Sequence, residues 1–246
     1  MGFYDEISKY YDYIFPVGKP QLNFIKESAG LPPKSILDVA CGSGGYSVEL
    51  AKSGYLVSAI DIDDEMVNKA KEKARREGLD INVLKSDMRD IRGSFREKFH
   101  LIFCIGNSIV HLGSLDEILD TLKQMRSQLE AGGSLVLQTI NYDRVIKFNV
   151  NELPTIKNDD VGLEFIRKYR YDKKKNLINF DTVLTVNRGS EKEVYENSIN
   201  LLPVMSADME RVLTQAGFGE IKLYGDFNRS PYDENSFMLV VKAKNQ

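Results

Sequence analysis

The stretch from Ser35 to Gly45, reading Ser-Ile-Leu-Asp-Val-Ala-Cys-Gly-Ser-Gly-Gly, constrains this chain more than any other. Ile36, Leu37 and Val39 form the short apolar run of a strand covered on both faces. Gly42 and Gly44 permit a sharp turn and leave no Cβ between the backbone and a ligand. The helix predicted next, about Tyr46 to Ser53, directs its unpaired N–H groups and positive dipole end at that turn. Such a corner suits an adenosine-bearing ligand beside a parallel sheet. Alone, it fits equally a tight strand–helix turn that binds nothing.

The pattern beyond the turn repeats. A second strand, Leu56 to Asp61, ends in a carboxylate roughly twenty residues past Gly42, the spacing at which an acidic residue meets ribose hydroxyls. Asp63 or Asp64 then caps a helix that carries Met66, Val67, Ala70 and Ala74 on one face. Strands follow at Ile81–Ser86, ahead of Asp87-Met88, at Leu101–Ile105, ahead of Gly106-Asn107-Ser108, and at Ser134–Ile140. Ser114 and Glu117 form a capping box between the last two. This alternation predicts an α/β fold, a doubly wound, seven-stranded and mostly parallel sheet. The loop from Gly225 to Asn235 is too short for a crossover helix, so the last strand is expected to run antiparallel. Three strands at Leu163–Tyr171, Leu177–Asn187 and Glu193–Leu202, with turns at Asp172–Lys175 and Arg188-Gly189-Ser190, predict a small antiparallel β insertion over 145–204. Its position after the fifth strand places it beside the carboxyl ends of the sheet, near the substrate site. The aromatic N-terminus (Phe3, Tyr4, Tyr10, Tyr11, Tyr13, Phe15) reads as a helical cover packed on the domain and over the ligand mouth.

Composition narrows the partners. With 246 residues, 42% of them hydrophobic, the chain can bury a sizeable core, and a net charge of −3 offers no general pull toward nucleic acid or an anionic membrane. There is no run long enough to span a bilayer, and Met1 to Glu6 lacks the features of a signal peptide. The two cysteines, Cys41 and Cys104, sit in apolar strand contexts, which argues against a disulfide and for a cytoplasmic location.

At this point the chain resembles the class I S-adenosylmethionine-dependent methyltransferases, on the Asp38…Gly42-Ser43-Gly44 turn, Asp61, Asp87-Met88 and the final hairpin. The resemblance implies a cofactor-binding domain over 1–144 and 205–246. It also implies S-adenosylmethionine as cofactor, with S-adenosylhomocysteine as product. The methionine part would lie on Ala40, Cys41, Gly42 and Gly44, its ammonium near Asp38. Asp61 would take the ribose hydroxyls, and Asp87 the adenine amino group between Ile62 and Met88. Tyr11, Met66 and Ile105 would complete the cofactor site. Carboxylates suit these places because they only accept, and all three partners donate.

A closer resemblance joins Cys104–Leu112, Asn141-Tyr142-Asp143 and Gly225-Asp226-Phe227 to glycine and glycine/sarcosine N-methyltransferases. It implies Asn107 as the residue holding the acceptor amine, with His111, Asn141 and Arg144 lining the substrate site. Tyr10 or Tyr11 would close it, Tyr10 counted as catalytic. Those relatives carry an arginine before Asn-Tyr-Asp that pairs with the glycine carboxylate. Here that position is Ile140, which cannot clamp a carboxylate, so free glycine is not expected as best substrate. Arg144, Arg167 and Arg170 are other sources of that charge.

The expected reaction is direct in-line transfer to a small-molecule acceptor, an amine nitrogen before oxygen or carbon. No metal, nucleic acid or membrane partner is expected, and the insertion could serve a homodimer. Asp61→Asn should weaken cofactor binding less than Asp61→Ala. Two other readings stand beside this one. A nicotinamide-dependent oxidoreductase would want a third glycine where Ser47 stands. A non-catalytic S-adenosylmethionine-binding protein shares every cofactor feature. Asp38, Asp61, Asp87 and Asn107 each also read as turn or cap residues, and His111 as a packing residue.

Overall fold

A computed structural model describes residues 7–188 and 191–246. Phe3 and Tyr4 of the aromatic cover, and the Gly189-Ser190 turn, lie outside the described residues. Among the described residues eleven strands form two sheets. The first runs β10-β11-β5-β4-β1-β2-β3, from β1 (Ser35–Val39), β2 (Leu56–Asp61), β3 (Ile81–Lys85), β4 (Phe99–Cys104), β5 (Leu129–Ile140), β10 (Phe218–Tyr224) and β11 (Met238–Asn245). The pairs β1–β2, β2–β3, β1–β4 and β4–β5 are parallel. β11 runs antiparallel to both β5 and β10. From β1 the chain winds outward to β3, then returns to place β4 on the other side of β1. The carboxyl ends of β1 and β4 therefore flank the switch point, where ligands of such sheets lie.

The second sheet, β6-β7-β8-β9, is antiparallel throughout. It comprises β6 (Glu152–Asn158), β7 (Leu163–Asp172), β8 (Leu177–Arg188) and β9 (Glu191–Leu201). From Lys192 to Asn200 β9 alternates between exposed and half-buried residues, as a sheet wet on one face must. Its inner face joins the core of the first sheet through Leu153, Tyr169, Ile178 and Leu201. Leu202 N–H donates to Val110 O at 2.9 Å and ties the end of this sheet to the turn after β4.

Three elements differ from the sequence reading. β6 escaped it because Pro154 and a register shift between Leu153 and Ile156 break the alternation of that edge strand. A six-residue helix, Tyr142–Lys147, follows β5, its length too short to show a period. β5 begins at Leu129 rather than Ser134: Gly132-Gly133 sits inside the strand, where pairing to β4 jumps from Leu129 to Ser134. Ser114 does cap the helix Leu115–Ser127, accepting from Glu117 N at 3.1 Å. Glu117 reaches back to Gly113 N at 3.2 Å instead of the cap's own amide.

The aromatic N-terminal segment packs on both sheets. Ile7, Tyr10 and Ile14 join Leu163, Phe165, Leu184 and Val186 in one cluster on the second sheet. Asp12 then reaches the glycine turn: Lys73 Nζ donates to its two oxygens at 2.8 and 2.9 Å, and Ser43 Oγ donates at 2.5 Å. Gly18 N–H donates to Tyr46 Oη at 3.1 Å on the helix after the turn, Gly45–Lys52.

Candidate active site

Two cavities open at the switch point. The larger, about 430 Å³, lies between the ends of β1 and β4 and the inner face of the second sheet. The smaller, about 330 Å³, lies over the ends of β2 and β3. Ala40 and His111 line both and form their junction.

The turn after β1 is held by its own carboxylates. Gly42 N–H donates to Asp61 Oδ2 at 2.7 Å, and Asp63 N–H to Asp61 Oδ1 at 3.0 Å. The Ile62 amide adds a third bond to this carboxylate, and the residue lines the smaller cavity. Burial raises the Asp61 pKa, opposed by those amide bonds. Asp38 is only 3% exposed, and burial pushes its pKa up to about 7; Ser47 Oγ, donating at 2.6 Å, pulls the other way, and the Asp61 charge adds to the rise. Ser47 stands where an oxidoreductase turn would carry its third glycine. Its buried hydroxyl bond to Asp38 is a task glycine cannot perform.

Gly42 and Gly44 adopt φ of +54° and +76°. A side chain at either position would meet protein atoms. A Cβ on Gly42 would lie 2.6 Å from Tyr11 Oη, and one on Gly44 2.7 Å from Ala70 Cβ. Gly44→Ala is therefore expected to destabilise the fold by roughly 2–5 kcal/mol, from left-handed strain plus overpacking on a helix backbone. Adding Ala70→Gly should return part of that loss in chemical melts. No recovery would mean that the helix contact is not the source.

Of the six non-glycine residues with positive φ among the described residues, two are at this site, Ala40 at +58° and Asn107 at +67°. They follow β1 and β4 and face the larger cavity. Such strain concentrates at ligand sites. Asn107 is fixed in place: its Oδ1 accepts Ile140 N–H at 2.9 Å and its Nδ2 donates to Tyr142 Oη at 3.0 Å. Tyr142 in turn hydrogen-bonds Tyr169, whose ring lines the cavity from β7. Burial drives both tyrosines well above the usual phenol range, so neither is a base. The Cys41 and Cys104 thiols are likewise raised by burial and are free. His111 is lowered by poor solvation among the cavity walls, which keeps its imidazole neutral.

The remaining sequence candidates separate. Tyr11, Cys41 and Ile105 line the larger cavity; Ile62, Asp87 and Met88 line the smaller. Ile62 is 61% exposed, an uncovered apolar side chain beside two carboxylates. Asp87 is held in place by Arg89, whose Nη2 lies 2.7 Å from Oδ2 and which lowers the Asp87 pKa. Four residues are corrected. Tyr10 is buried in the cluster on the second sheet, its hydroxyl on Glu193 Oε2 at 3.0 Å; the one-residue helical rotation sends Tyr11 to the turn instead. Met66 is 1% exposed inside the core and lines neither cavity. Asn141 caps the helix Tyr142–Lys147 through Arg144 N–H at 3.0 Å and donates to Asp233 O and Ser236 O, so its groups are spent on the final loop. Arg144 stacks 4.5 Å over the Phe237 ring and does not line the cavity. Sequence reasoning missed Gln138, whose Oε1 accepts Gly106 N–H at 2.8 Å at the cavity wall. One polar residue inside the apolar run of β5 was the available signal.

Among the described residues no three His, Cys, Asp or Glu side chains gather to hold a metal ion. No helix among them is long and apolar enough to cross a membrane.

These features define an α/β protein with two adjoining pockets at its switch point. Residues 36–133 match a family described as a methyltransferase domain. The chain is 28% identical over 229 residues to a glycine/sarcosine N-methyltransferase of Aphanothece halophytica, covering 90% of this chain and 80% of the relative. It is 28% identical over 222 residues to one of Halorhodospira halochloris, covering 90% and 79%. An S-adenosylmethionine-dependent methyltransferase structure from Clostridium acetobutylicum superposes with a TM-score of 0.81 at 18% identity, covering 99% of both chains. Residues 36–133 are thus a methyltransferase domain, and the fold is that of the class I S-adenosylmethionine-dependent methyltransferases.

Proposed function

We propose that this enzyme methylates a small-molecule amine held in the larger cavity. The carrying observation is the meeting of the two cavities at Ala40 and His111, with Asp61 in one and Asn107 in the other. The residues of the smaller cavity fit adenosine. Asp61 would offer its carboxylate to the ribose hydroxyls and Asp87 an acceptor to the adenine amino group, while Ile62 and Met88 would present apolar surface to its ring. Asp38, which lines the larger cavity, would hold the methionine ammonium. When bound, the cofactor supplies a methyl group activated by its sulfonium leaving group.

The protein then has to align and to exclude water, a contribution on the order of 7–11 kcal/mol. Asn107 suits that role because Ile140 and Tyr142 lock its side chain at the cavity wall, where an amine N–H would compete with the Tyr142 hydroxyl for its Oδ1. The amine must arrive neutral. The cavity offers a neutral His111. Nitrogen is favoured over oxygen by the glycine/sarcosine N-methyltransferase kinship. Free glycine is disfavoured by Ile140, an apolar wall of the cavity. A panel of amines, alcohols, glycine and sarcosine with methyl-labelled cofactor tests the reading. Transfer to an amine, with glycine not the best substrate, is expected. Transfer only to oxygen or carbon would refute it, and glycine having the highest kcat/KM would refute the Ile140 argument.

A further inference from the structure

Among the described residues lining the larger cavity, Arg167 is the only lysine or arginine. It lies on the inner face of the second sheet, between Phe165 and Tyr169 in the alternation of β7. Of its five N–H groups the protein uses one, Nη2 donating to Pro154 O at 2.7 Å. Its Nε is buried and has no acceptor. No carboxylate among the described residues pairs with it. The two acids of the same cavity are committed elsewhere, Asp38 to Ser47 and Asp12 to Lys73 and Ser43.

The strand opposite is shaped around this side chain. Pairing of β6 with β7 slips between Leu153, opposite Arg167, and Ile156, opposite Phe165. That irregularity releases the Pro154 carbonyl from the ladder and turns it to the guanidinium. A guanidinium stays charged at any physiological pH, and withdrawing one from water without a counter-ion is costly. Around it the wall is apolar: Leu153, Phe165, Phe180, Ile199 and Leu201.

We propose that Arg167 binds a carboxylate carried by the acceptor, so that the substrate is an amine with an apolar body and a carboxylate. The inference rests on the amine-methylation reading. A planar carboxylate matches the guanidinium fork, and the apolar wall takes the body between the two polar ends. Glycine has no body to fill that wall. Arg167 thereby occupies the office left vacant by Ile140, but from the second sheet rather than from the end of β5.

Two measurements test this. In the first, phenylalanine and phenethylamine are compared as acceptors for wild type, Arg167→Met and Arg167→Lys. Wild type should prefer the carboxylate-bearing amine by at least about tenfold in kcat/KM, Arg167→Met should lose that preference through KM, and Arg167→Lys should fall between, a point charge lacking the fork. Preference for phenethylamine in wild type, or an unchanged preference in Arg167→Met, overturns the proposal. In the second, 3-phenylpropionate, hexanoate and benzoate, each with its amide as control, are titrated into protein saturated with S-adenosylhomocysteine. At least one acid should bind wild type about tenfold or more tightly than its amide, and Arg167→Met, checked by its melting temperature, should erase the difference. Acids binding no better than amides overturns the proposal. If no amine is methylated yet acid binding requires Arg167, the amine reading fails and the carboxylate site stands.

Discussion

Replacing Asp38 with Asn is expected to make the cofactor-free protein more stable and the enzyme worse. Burial holds the Asp38 pKa at about 7, far above the 3.8 of an exposed aspartate. The sign is the reverse of the usual carboxylate. Between about pH 4 and 7 the unfolded chain gives up this proton and the folded one keeps it, so stability falls as pH rises through that window. Above pH 7 the cost is complete, with an upper limit of about 4 kcal/mol. Asparagine carries no charge and can still accept from Ser47. The melting-temperature gain of the variant should be absent near pH 4, grow toward pH 7 and level off above it. Cofactor affinity should move the other way. An ammonium needs the ionised carboxylate, so wild-type affinity should drop about tenfold per unit below pH 7, a dependence the variant lacks. A variant that is no more stable at pH 8, or that binds S-adenosylmethionine as well as wild type, would remove Asp38 from this role.

Asp61→Ala should cost cofactor affinity and structure together. Two bonds from ribose hydroxyls to a charged acceptor, at about 1.5–3 kcal/mol each, predict a loss of about a hundredfold or more in binding. The buried Gly42 N–H would lose its acceptor as well, at about 1–3 kcal/mol of stability. Asp61→Asn is expected to weaken cofactor binding less than alanine does, but not to be gentler on the apo fold. Backbone amides donate to both Asp61 oxygens, so an asparagine must turn its NH₂ toward one of those donors. Its effect on apo stability should therefore rival that of alanine. Calorimetric titration and chemical melts of both variants decide the matter. An unchanged dissociation constant in either would place the ribose elsewhere.

What the sequence made legible was local. An apolar run ending in glycines can only be β1 and its turn, and Asp61 follows because strand–helix–strand units have nearly fixed length. Asp38, Asp87 and Asn107 sit at strand ends, and strand ends are readable. What was hidden depends on rotation or on distant contact. Tyr10 and Tyr11 differ by one residue, and a four-residue helical turn, Tyr11–Ile14, carries too little periodicity to phase them. The helical face of Met66 announced burial but not what would cover it. Asn141 satisfied its cap so completely that nothing remained for a substrate. Arg144 and Arg167 looked equivalent in the chain. Only the folding of β7 over the end of β1 separates a residue stacked on Phe237 from one facing the cavity.

The antiparallel placement of β11 bears on how the molecule is made. β5 pairs with β4 on one edge, and on the other its partner is β11, from Met238 with Ile140 to Lys244 with Ser134. A ribosome delivers the whole second sheet, and the helix Ser206–Gln215, before that partner exists. During this interval the run Leu135–Val136–Leu137 ends in an open edge of bare amides and carbonyls, an invitation to strands of neighbouring nascent chains. Synthesis at 5–20 residues per second makes the exposure last several seconds. A ribosome that stalls or terminates before Met238 would release a chain with most of its core and one permanently raw edge. Chaperone demand should therefore peak late in translation, and truncated products should be found in aggregates rather than as soluble, inactive enzyme.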